Sequence, residues 1–110
     1  MRFYETTVLL DPKIGEEEIE KNLKKIETLI TSLGGEMIDV GRKGLQKLGY
    51  TIKRNRDAYY TFFKHNSPPD TLVRLKEQLK LNEAILRFGV ILADREKARA
   101  RTIKNEEAEA

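Results

Sequence analysis

The alternation of two hydrophobic periods along this chain constrains its fold more than any other feature. Apolar residues recur every three or four positions from Ile19 to Leu33 and again from Leu72 to Leu79, the spacing of an amphipathic helix. Runs rich in β-branched and aromatic residues precede, separate and follow these two segments. Because two of those runs lie between the helices, the predicted order is β-α-β-β-α-β.

Turn and capping residues set the predicted boundaries. The first strand, Phe3–Leu10, ends at Asp11-Pro12, and the first helix, about residues 15–33, ends at Gly34-Gly35. The second helix is predicted to begin with Ser67 as its cap and Pro68 as its first residue. The other strands are predicted at about Glu36 to Ile52, at Ala58–Lys64 after a polar turn over 53–57, and at Ile85–Leu92. Gly41 and Gly44 indicate a bulge or bend in the long second strand.

This order predicts an α+β, ferredoxin-like domain over residues 1–93. Both helices are expected on one face of a four-stranded antiparallel sheet, with strands one and three central and strands two and four at the edges. The other sheet face is left open. Residues 94–110 lack an apolar stripe and hold five basic and five acidic residues, so this charged tail is expected to be disordered in isolation.

Alternation within the strands predicts which side chains face the helices. In the last strand Leu86, Phe88, Val90 and Leu92 are assigned inward, which places Ile85 and Arg87 on the open face. Glu5 of the first strand is also assigned to the open face, where it is expected to pair with Arg87.

The third strand is aromatic on both faces, so its assignment is less constrained. Tyr60 and Phe62 are assigned to the core, which puts Tyr59 and Phe63 on the open face. With these rings exposed, the open face would be more apolar than a protein surface that contacts only water. It therefore suggests a protein partner or stacked nucleobases.

A basic window from Gly41 to Arg56 carries the strongest functional signal. It contains six positive charges and no Asp or Glu, while the whole chain is only +3. The six charged residues are Arg42, Lys43, Lys47, Lys53, Arg54 and Arg56. One interpretation is a solvated edge strand whose lysines discourage aggregation. The charge exceeds that need, so a polyanion, most commonly a nucleic acid, is the favoured partner.

Catalytic chemistry finds little support in the sequence. There is no cysteine, and His65 is the single histidine, so metal binding or nucleophilic catalysis would lack partners. An acylphosphatase-like hydrolase would need an arginine and an asparagine around a phosphate loop, which residues 11–15 do not supply. The chain is therefore predicted to be neither an enzyme nor a cofactor or metal carrier. Its start is too short in apolar residues for a signal peptide, which favours an intracellular protein.

Two other kinds of binding module share this order of strands and helices. The RNA-recognition module has a glycine-containing aromatic motif in its third strand, and the segment RDAYYTFF lacks that glycine pattern. A small-ligand-binding regulatory domain remains the alternative function.

The segment Gly44 to Lys53, GLQKLGYTIK, resembles the signature of the bacterial small-subunit ribosomal protein S6 family. Gly44, Leu48, Tyr50 and Ile52 match that signature, whereas Gln46 replaces a usual basic residue and Gly49 a usual Ala or Ser. The opening RFYETTVLLDP and the stretch LKLNEAILRFGV are also similar to the family, so the resemblance covers about residues 1–93.

This resemblance implies a cytoplasmic, structural role on the ribosome. It implies binding to the central (platform) domain of the small-subunit ribosomal RNA as a heterodimer with the small-subunit ribosomal protein S18. Tyr50 and Leu48 are expected to serve packing first. The predicted RNA contacts are Arg2, Arg42, Lys43, Lys47, Lys53, Arg54, Arg56 and Arg87. The predicted partner contacts are Glu5, Tyr59, Phe63, Arg99 and Arg101.

Overall fold

The computed structural model describes residues 1–93, which form one antiparallel sheet of four strands with two helices on one face. The elements are β1 (Arg2–Leu10), α1 (Glu16–Ser32), β2 (Glu36–Ile52), β3 (Asn55–Ser67), α2 (Leu72–Leu81) and β4 (Ile85–Leu92). The strand order across the sheet is β2-β3-β1-β4. The ferredoxin-like fold and the central and edge positions of its strands are thus confirmed.

Helix α1 forms because its apolar residues lie on one side and its first turn carries the acidic residues that a helix N-terminus favours. Ile19, Leu23, Ile26 and Ile30 are buried against the sheet, and three glutamates occupy the first turn, where the helix dipole favours negative charge. The chain leaves the helix through Gly34, whose φ of +87° is a left-handed conformation suited to glycine.

The start of α2 differs from its prediction. Ser67 is the last residue of β3, and its hydroxyl lies 2.7 Å from Nδ1 of His65 instead of capping a helix. Pro68 is extended, and a short 3-10 helix over Pro69–Thr71 precedes α2. The hydroxyl is used within the core because His65 is buried beside it and needs a hydrogen-bond partner.

The core lies between the helices and the central strands, and it corrects the assignment of β3. Directly paired residues of antiparallel strands share a face, and Thr61 pairs with the core residue Val8 and Tyr59 with Leu10. Phe63 is therefore on the helix side, where it is 0% exposed. The prediction that Tyr59 and Phe63 face the open side is wrong, and so is the assignment of Tyr60 and Phe62 to the helix side, although Phe62 is buried where it lies.

Phe62 lies on the open face over a glycine of the neighbouring strand. A Cβ atom at Gly41 would come within 1.9 Å of the Phe62 ring, so only glycine fits opposite this aromatic side chain. Gly41 is therefore needed for the close approach of the Phe62 ring to β2, and it does not form the predicted bend. The irregularity in this part of β2 comes one step later, between Arg42 and Gly44, and Gly44 has a φ of +75°.

A bulge also corrects the start of β4. Leu9 pairs with Arg87, but the next residue, Leu10, pairs with Ile85, so Leu86 is an extra residue. The bulge turns Ile85 into the helix-side core, against the prediction, while Arg87 stays on the open face as predicted.

His65 is part of a buried polar chain under the helices. Its Nε2 lies 2.8 Å from the hydroxyl of Thr6, and its Nδ1 contacts Ser67. Burial disfavours the imidazolium and lowers the pKa of His65 to about 4. The ring is therefore neutral near neutral pH, with one nitrogen donating and the other accepting a hydrogen bond.

Acidification is expected to destabilise the fold through His65. The folded pKa is about 4, below an unfolded value of about 6.5, so the unfolded state binds more protons between these pH values. Stability is then fully present above about pH 6.5 and falls by about 2 kcal/mol between pH 7 and pH 5. Urea unfolding at both pH values measures this loss. His65→Gln, which does not titrate, is expected to be less stable at pH 7 but nearly pH-independent in this range; an equal loss in that variant would contradict the assignment.

Candidate nucleic-acid interface

The basic window forms most of β2 and the turn into β3. Lys47 pairs with Asp57 and Ile52 with Asn55, so the four residues Leu48 to Thr51 lie opposite a single residue, Arg56. This large bulge takes the LGYT segment out of the regular hydrogen-bonded ladder. It encloses a hollow of about 460 Å³. The hollow is lined by Lys47, Leu48, Gly49, Tyr50, Thr51, Arg56 and Asp57.

The turn at the end of the hairpin is tighter than predicted and is strained. Lys53 and Arg54 have φ values of +47° and +67°, although neither is a glycine. Two-residue hairpin turns of this kind favour Asn-Gly, because other side chains crowd the backbone in the left-handed region. The polar turn predicted over 53–57 is thus reduced to two residues, and both are cationic.

Relief of this strain is expected to stabilise the protein. Arg54→Gly should raise the free energy of unfolding by about 1 kcal/mol, because glycine adopts positive φ without a steric cost. Arg56→Gly is the matched control, since it removes the same charge from a strand residue without positive φ. That variant should lose about 0.5–1 kcal/mol. Equal effects of the two substitutions in urea unfolding would contradict a strained turn.

The end of the hairpin contacts the opposite edge of the sheet. The Arg87 guanidinium of β4 lies 5.3 Å from the centroid of the Tyr50 ring, and its Nη1 donates a hydrogen bond to the Tyr50 hydroxyl. Lys53 Nζ lies 3.5 Å from the carbonyl oxygen of Ile85. The bulge of β2 therefore lies beside the start of β4, where Arg87 contacts both the ring and the hydroxyl of Tyr50. Tyr50 is 58% exposed, so the expectation that it serves packing first is wrong.

Five of the predicted RNA contacts lie together at this end of the molecule. All five are exposed, and all are on the hairpin or on β4 next to it. They are Lys47, Lys53, Arg54, Arg56 and Arg87, which we call the hairpin cluster.

Arg42 and Lys43 are engaged within the protein. Arg42 lies on the helix side of β2, where its guanidinium forms a bidentate ion pair with Glu20 of α1, with Nη2 2.6 Å from Oε2. These hydrogen bonds raise the pKa of Arg42 and lower that of Glu20. Lys43 Nζ lies 5.5 Å from the centroid of the Tyr60 ring on the open face. The window is thus divided between the two faces of the sheet.

Arg2 lies far from the hairpin cluster. It is exposed and pairs with Ser67 at the end of β1 opposite to the hairpin turn. Arg2 is eight residue steps of about 3.3 Å from Leu10 at the other end of β1, roughly 26 Å. Arg2 therefore belongs to a second, separate basic position.

The predicted pair between Glu5 and Arg87 does not form. Glu5 pairs with Lys64 on β3 and with Ile91 on β4, whereas Arg87 pairs with Leu9, four residues further along β1. Glu5 is only 7% exposed, and its Oε2 is buried without a hydrogen-bond partner. Because Glu5 and Phe63 are both buried, neither of these two predicted partner contacts is available on the open face. Arg99 and Arg101 lie outside the described residues.

The open face also carries aromatic–cation pairs that the sequence pattern did not predict. Lys64 Nζ lies 5.4 Å from the centroid of the Phe62 ring, and similar contacts join Lys43 to Tyr60 and Arg87 to Tyr50. Such contacts are attractive when a cation lies over the face of a ring. Their signal was the alternation of aromatic and basic residues on neighbouring strands, which becomes readable only once the strand register is known.

The described residues show no cluster of His, Asp and Glu side chains that could hold a metal ion. No helix among residues 1–93 is long and apolar enough to cross a membrane.

Comparison with known proteins identifies the family. The model of the family described as "Ribosomal protein S6" matches residues 3–91. The small ribosomal subunit protein bS6 of Elusimicrobium minutum is 35% identical over 94% of this chain and 100% of its own length. The bS6 protein of a Nocardioides species is 37% identical over 86% of this chain and 98% of its own.

A solved structure agrees with the fold. The crystal structure of 30S ribosomal protein S6 from Thermotoga maritima is similar with a TM-score of 0.83 and 23% sequence identity, over 94% of this chain and 97% of that one. On the family match and these bS6 relatives, the chain belongs to the ribosomal protein S6 family, a family of structural proteins rather than enzymes.

Proposed function

We propose that this chain is a structural component of the small ribosomal subunit, where it binds the central (platform) domain of the ribosomal RNA together with ribosomal protein S18. Relatives over nearly the whole chain are named small ribosomal subunit proteins, which supports the ribosomal role. The platform site and the S18 partner come from the resemblance of the sequence to the family. A small-ligand-binding regulatory domain is the less favoured function, because family membership supports the ribosomal role.

The hairpin cluster is the observation that carries the RNA part of the proposal. Lys47, Lys53, Arg54, Arg56 and Arg87 are exposed at one end of the sheet, and the one acidic residue among their ladder partners is Asp57, opposite Lys47. Cations grouped in this way attract the phosphate backbone and release its counterions, which makes the affinity dependent on salt. The ion pair of Arg42 with Glu20 keeps that charge on the helix side. The RNA is therefore assigned to the hairpin end and not to the helices.

Exposed apolar side chains support a protein partner beside the RNA. Leu45 on the edge strand β2 is 60% exposed, and Ile91 and Leu92 at the end of β4 are 40% and 57% exposed. Covering such side chains contributes about 25 cal/mol for each Å² removed from water. An outer strand such as β2 also offers unpaired backbone groups to a neighbour. Because β2 and β4 are opposite edges of the sheet, we assign S18 to the β2 edge with Leu45 and no longer to Tyr59 or Phe63.

A binding assay with purified components tests the proposal. The chain is mixed with S18 and an RNA fragment of the platform domain, and complexes are resolved by mobility shift at several salt concentrations. We expect a ternary complex whose affinity falls steeply as salt rises. A fragment from another domain of the same ribosomal RNA serves as the control. Equal binding to both fragments, or none to the platform fragment, would show that the proposed site is wrong.

A further inference from the structure

The hollow beside Tyr50 has a form that simple phosphate binding does not require. Exposed lysines and arginines on a regular hairpin are sufficient to contact a backbone. Here the chain instead inserts four residues opposite one, and it places an aromatic ring and two cations around a concave space. The ring is that of Tyr50, and the cations are Lys47 and Arg56.

Tyr50 is both exposed and oriented. Tyr50 is 58% exposed as a residue, although tyrosine usually buries much of its apolar surface. The Arg87 guanidinium lies 5.3 Å from the centroid of the ring and donates a hydrogen bond to the Tyr50 hydroxyl. An aromatic ring that is fixed in this way loses little conformational freedom when a second flat group stacks on it.

Gly49 and Asp57 also line the hollow. A Cβ atom at Gly49 would meet no atom within 4 Å outside its chain neighbours, so the lack of a side chain there is not forced by close packing. The opposite wall carries Asp57, which pairs with Lys47 in the ladder and reduces the local charge from two positive groups to a net of one. A phosphate alone therefore gains less here than at the tip of the hairpin.

We propose that this hollow binds one unpaired nucleotide of the RNA, with its base stacked on Tyr50 and its phosphate near Lys47 and Arg56. The inference rests on the proposed function and adds a site and a ligand class to it. Unpaired bases in RNA are commonly held by aromatic side chains or by the plane of an arginine, and the Tyr50–Arg87 pair provides both groups. Arg87 acts as a positioning residue for the ring.

Substitutions of Tyr50 separate stacking from charge. Tyr50→Leu is expected to weaken binding to the platform fragment by about 10- to 100-fold at every salt concentration, with an unchanged salt slope. Tyr50→Phe keeps the ring and is expected to bind within about threefold of the original chain. Lys47→Ala should reduce the slope by about one. Equal affinities for Tyr50→Leu and the original chain would overturn the proposal while leaving ribosomal RNA binding intact.

Abasic RNA identifies the nucleotide. Unpaired nucleotides of the platform fragment are replaced one at a time by abasic residues. At one position the loss is expected to match that of Tyr50→Leu, and the variant protein should show no further loss there. If no abasic position is coupled to Tyr50 in this way, no base occupies the hollow.

A test without the platform fragment keeps the site distinct from the proposed function. Pentaadenylate is titrated into the full chain, and the ring protons of Tyr50 are followed by NMR; an abasic pentamer of the same charge is the control. We expect upfield shifts with pentaadenylate only, because a stacked base places the ring in its shielding zone. Equal shifts with both oligomers, or none with pentaadenylate, would overturn the nucleotide site even if the chain enters ribosomes.

Discussion

Replacing Lys53, Arg54 and Arg56 with alanine is expected to lower the salt slope of RNA binding by about one to three, because each lost phosphate contact removes about 0.9 from the slope. These three side chains are exposed at the hairpin turn. Affinity should fall most at low salt, where the released counterions contribute most. The slope is read from binding to the platform RNA fragment, with S18 present, over a series of salt concentrations.

A second triple variant distinguishes the position of the positive charges from the total charge of the protein. Lys24, Lys25 and Lys76 are exposed on α1 and α2, so their replacement by alanine changes the net charge equally but on the helix side. That variant should keep the original slope nearly unchanged. If both variants lower the slope equally, RNA binding follows the total charge of the protein and the hairpin cluster is not the contact surface.

Phe63→Ala is expected to destabilise the protein by about 3–5 kcal/mol, since it removes a fully buried aromatic side chain from the core. Phe63 is 0% exposed and packs among the buried residues of β1, α1 and α2. The free energy of unfolding is measured with urea near pH 7, where His65 is neutral. Circular dichroism checks that the variant still folds.

Tyr60→Ala is the matched control for the face assignment. Tyr60 is the neighbouring aromatic of comparable size on the open face, where it is only partly buried beneath Lys43. Its loss should cost less than half as much as that of Phe63. A larger loss for Tyr60→Ala would reverse the assignment of the two faces.

The order of the elements was predictable because hydrophobic period, turn residues and strand composition agreed. The stripe of Ile19, Leu23, Ile26 and Ile30 is buried as expected, and the bounds of β4 match the prediction. Local sequence was sufficient in these places because the helical spacing of apolar residues and the flanking turn residues define the type and bounds of an element. The order β2-β3-β1-β4 then follows from short connections and the usual handedness of crossovers.

The faces of β3 were not predictable from alternation, since both sets of residues in β3 are aromatic. The choice depends on register: pairing of Thr61 with Val8 turns Phe63 to the helices, while Gly41 leaves room for Phe62 on the other side. In β4, the bulge at Leu86 reverses the alternation at Ile85, and no residue type in ILRFGVIL announces it.

The candidate site was predicted in its charges but not in its geometry. The basic window indicated a polyanion, and four of its six cations lie with Arg87 of β4 at one end of the sheet. The ion pair of Arg42 with Glu20 joins residues 22 positions apart. The contact of Arg87 with Tyr50 spans 37 positions. Such contacts depend on tertiary structure, so a pattern along the chain carries no signal for them.

Incorporation into ribosomes tests the central claim most directly. A tagged copy of the full chain is expressed in bacterial cells, and the ribosomal subunits are separated by sedimentation. We expect the protein in the small-subunit fractions, with reduced retention after a salt wash for the variant lacking Lys53, Arg54 and Arg56. A protein that stays at the top of the gradient and is absent from small subunits would contradict the account.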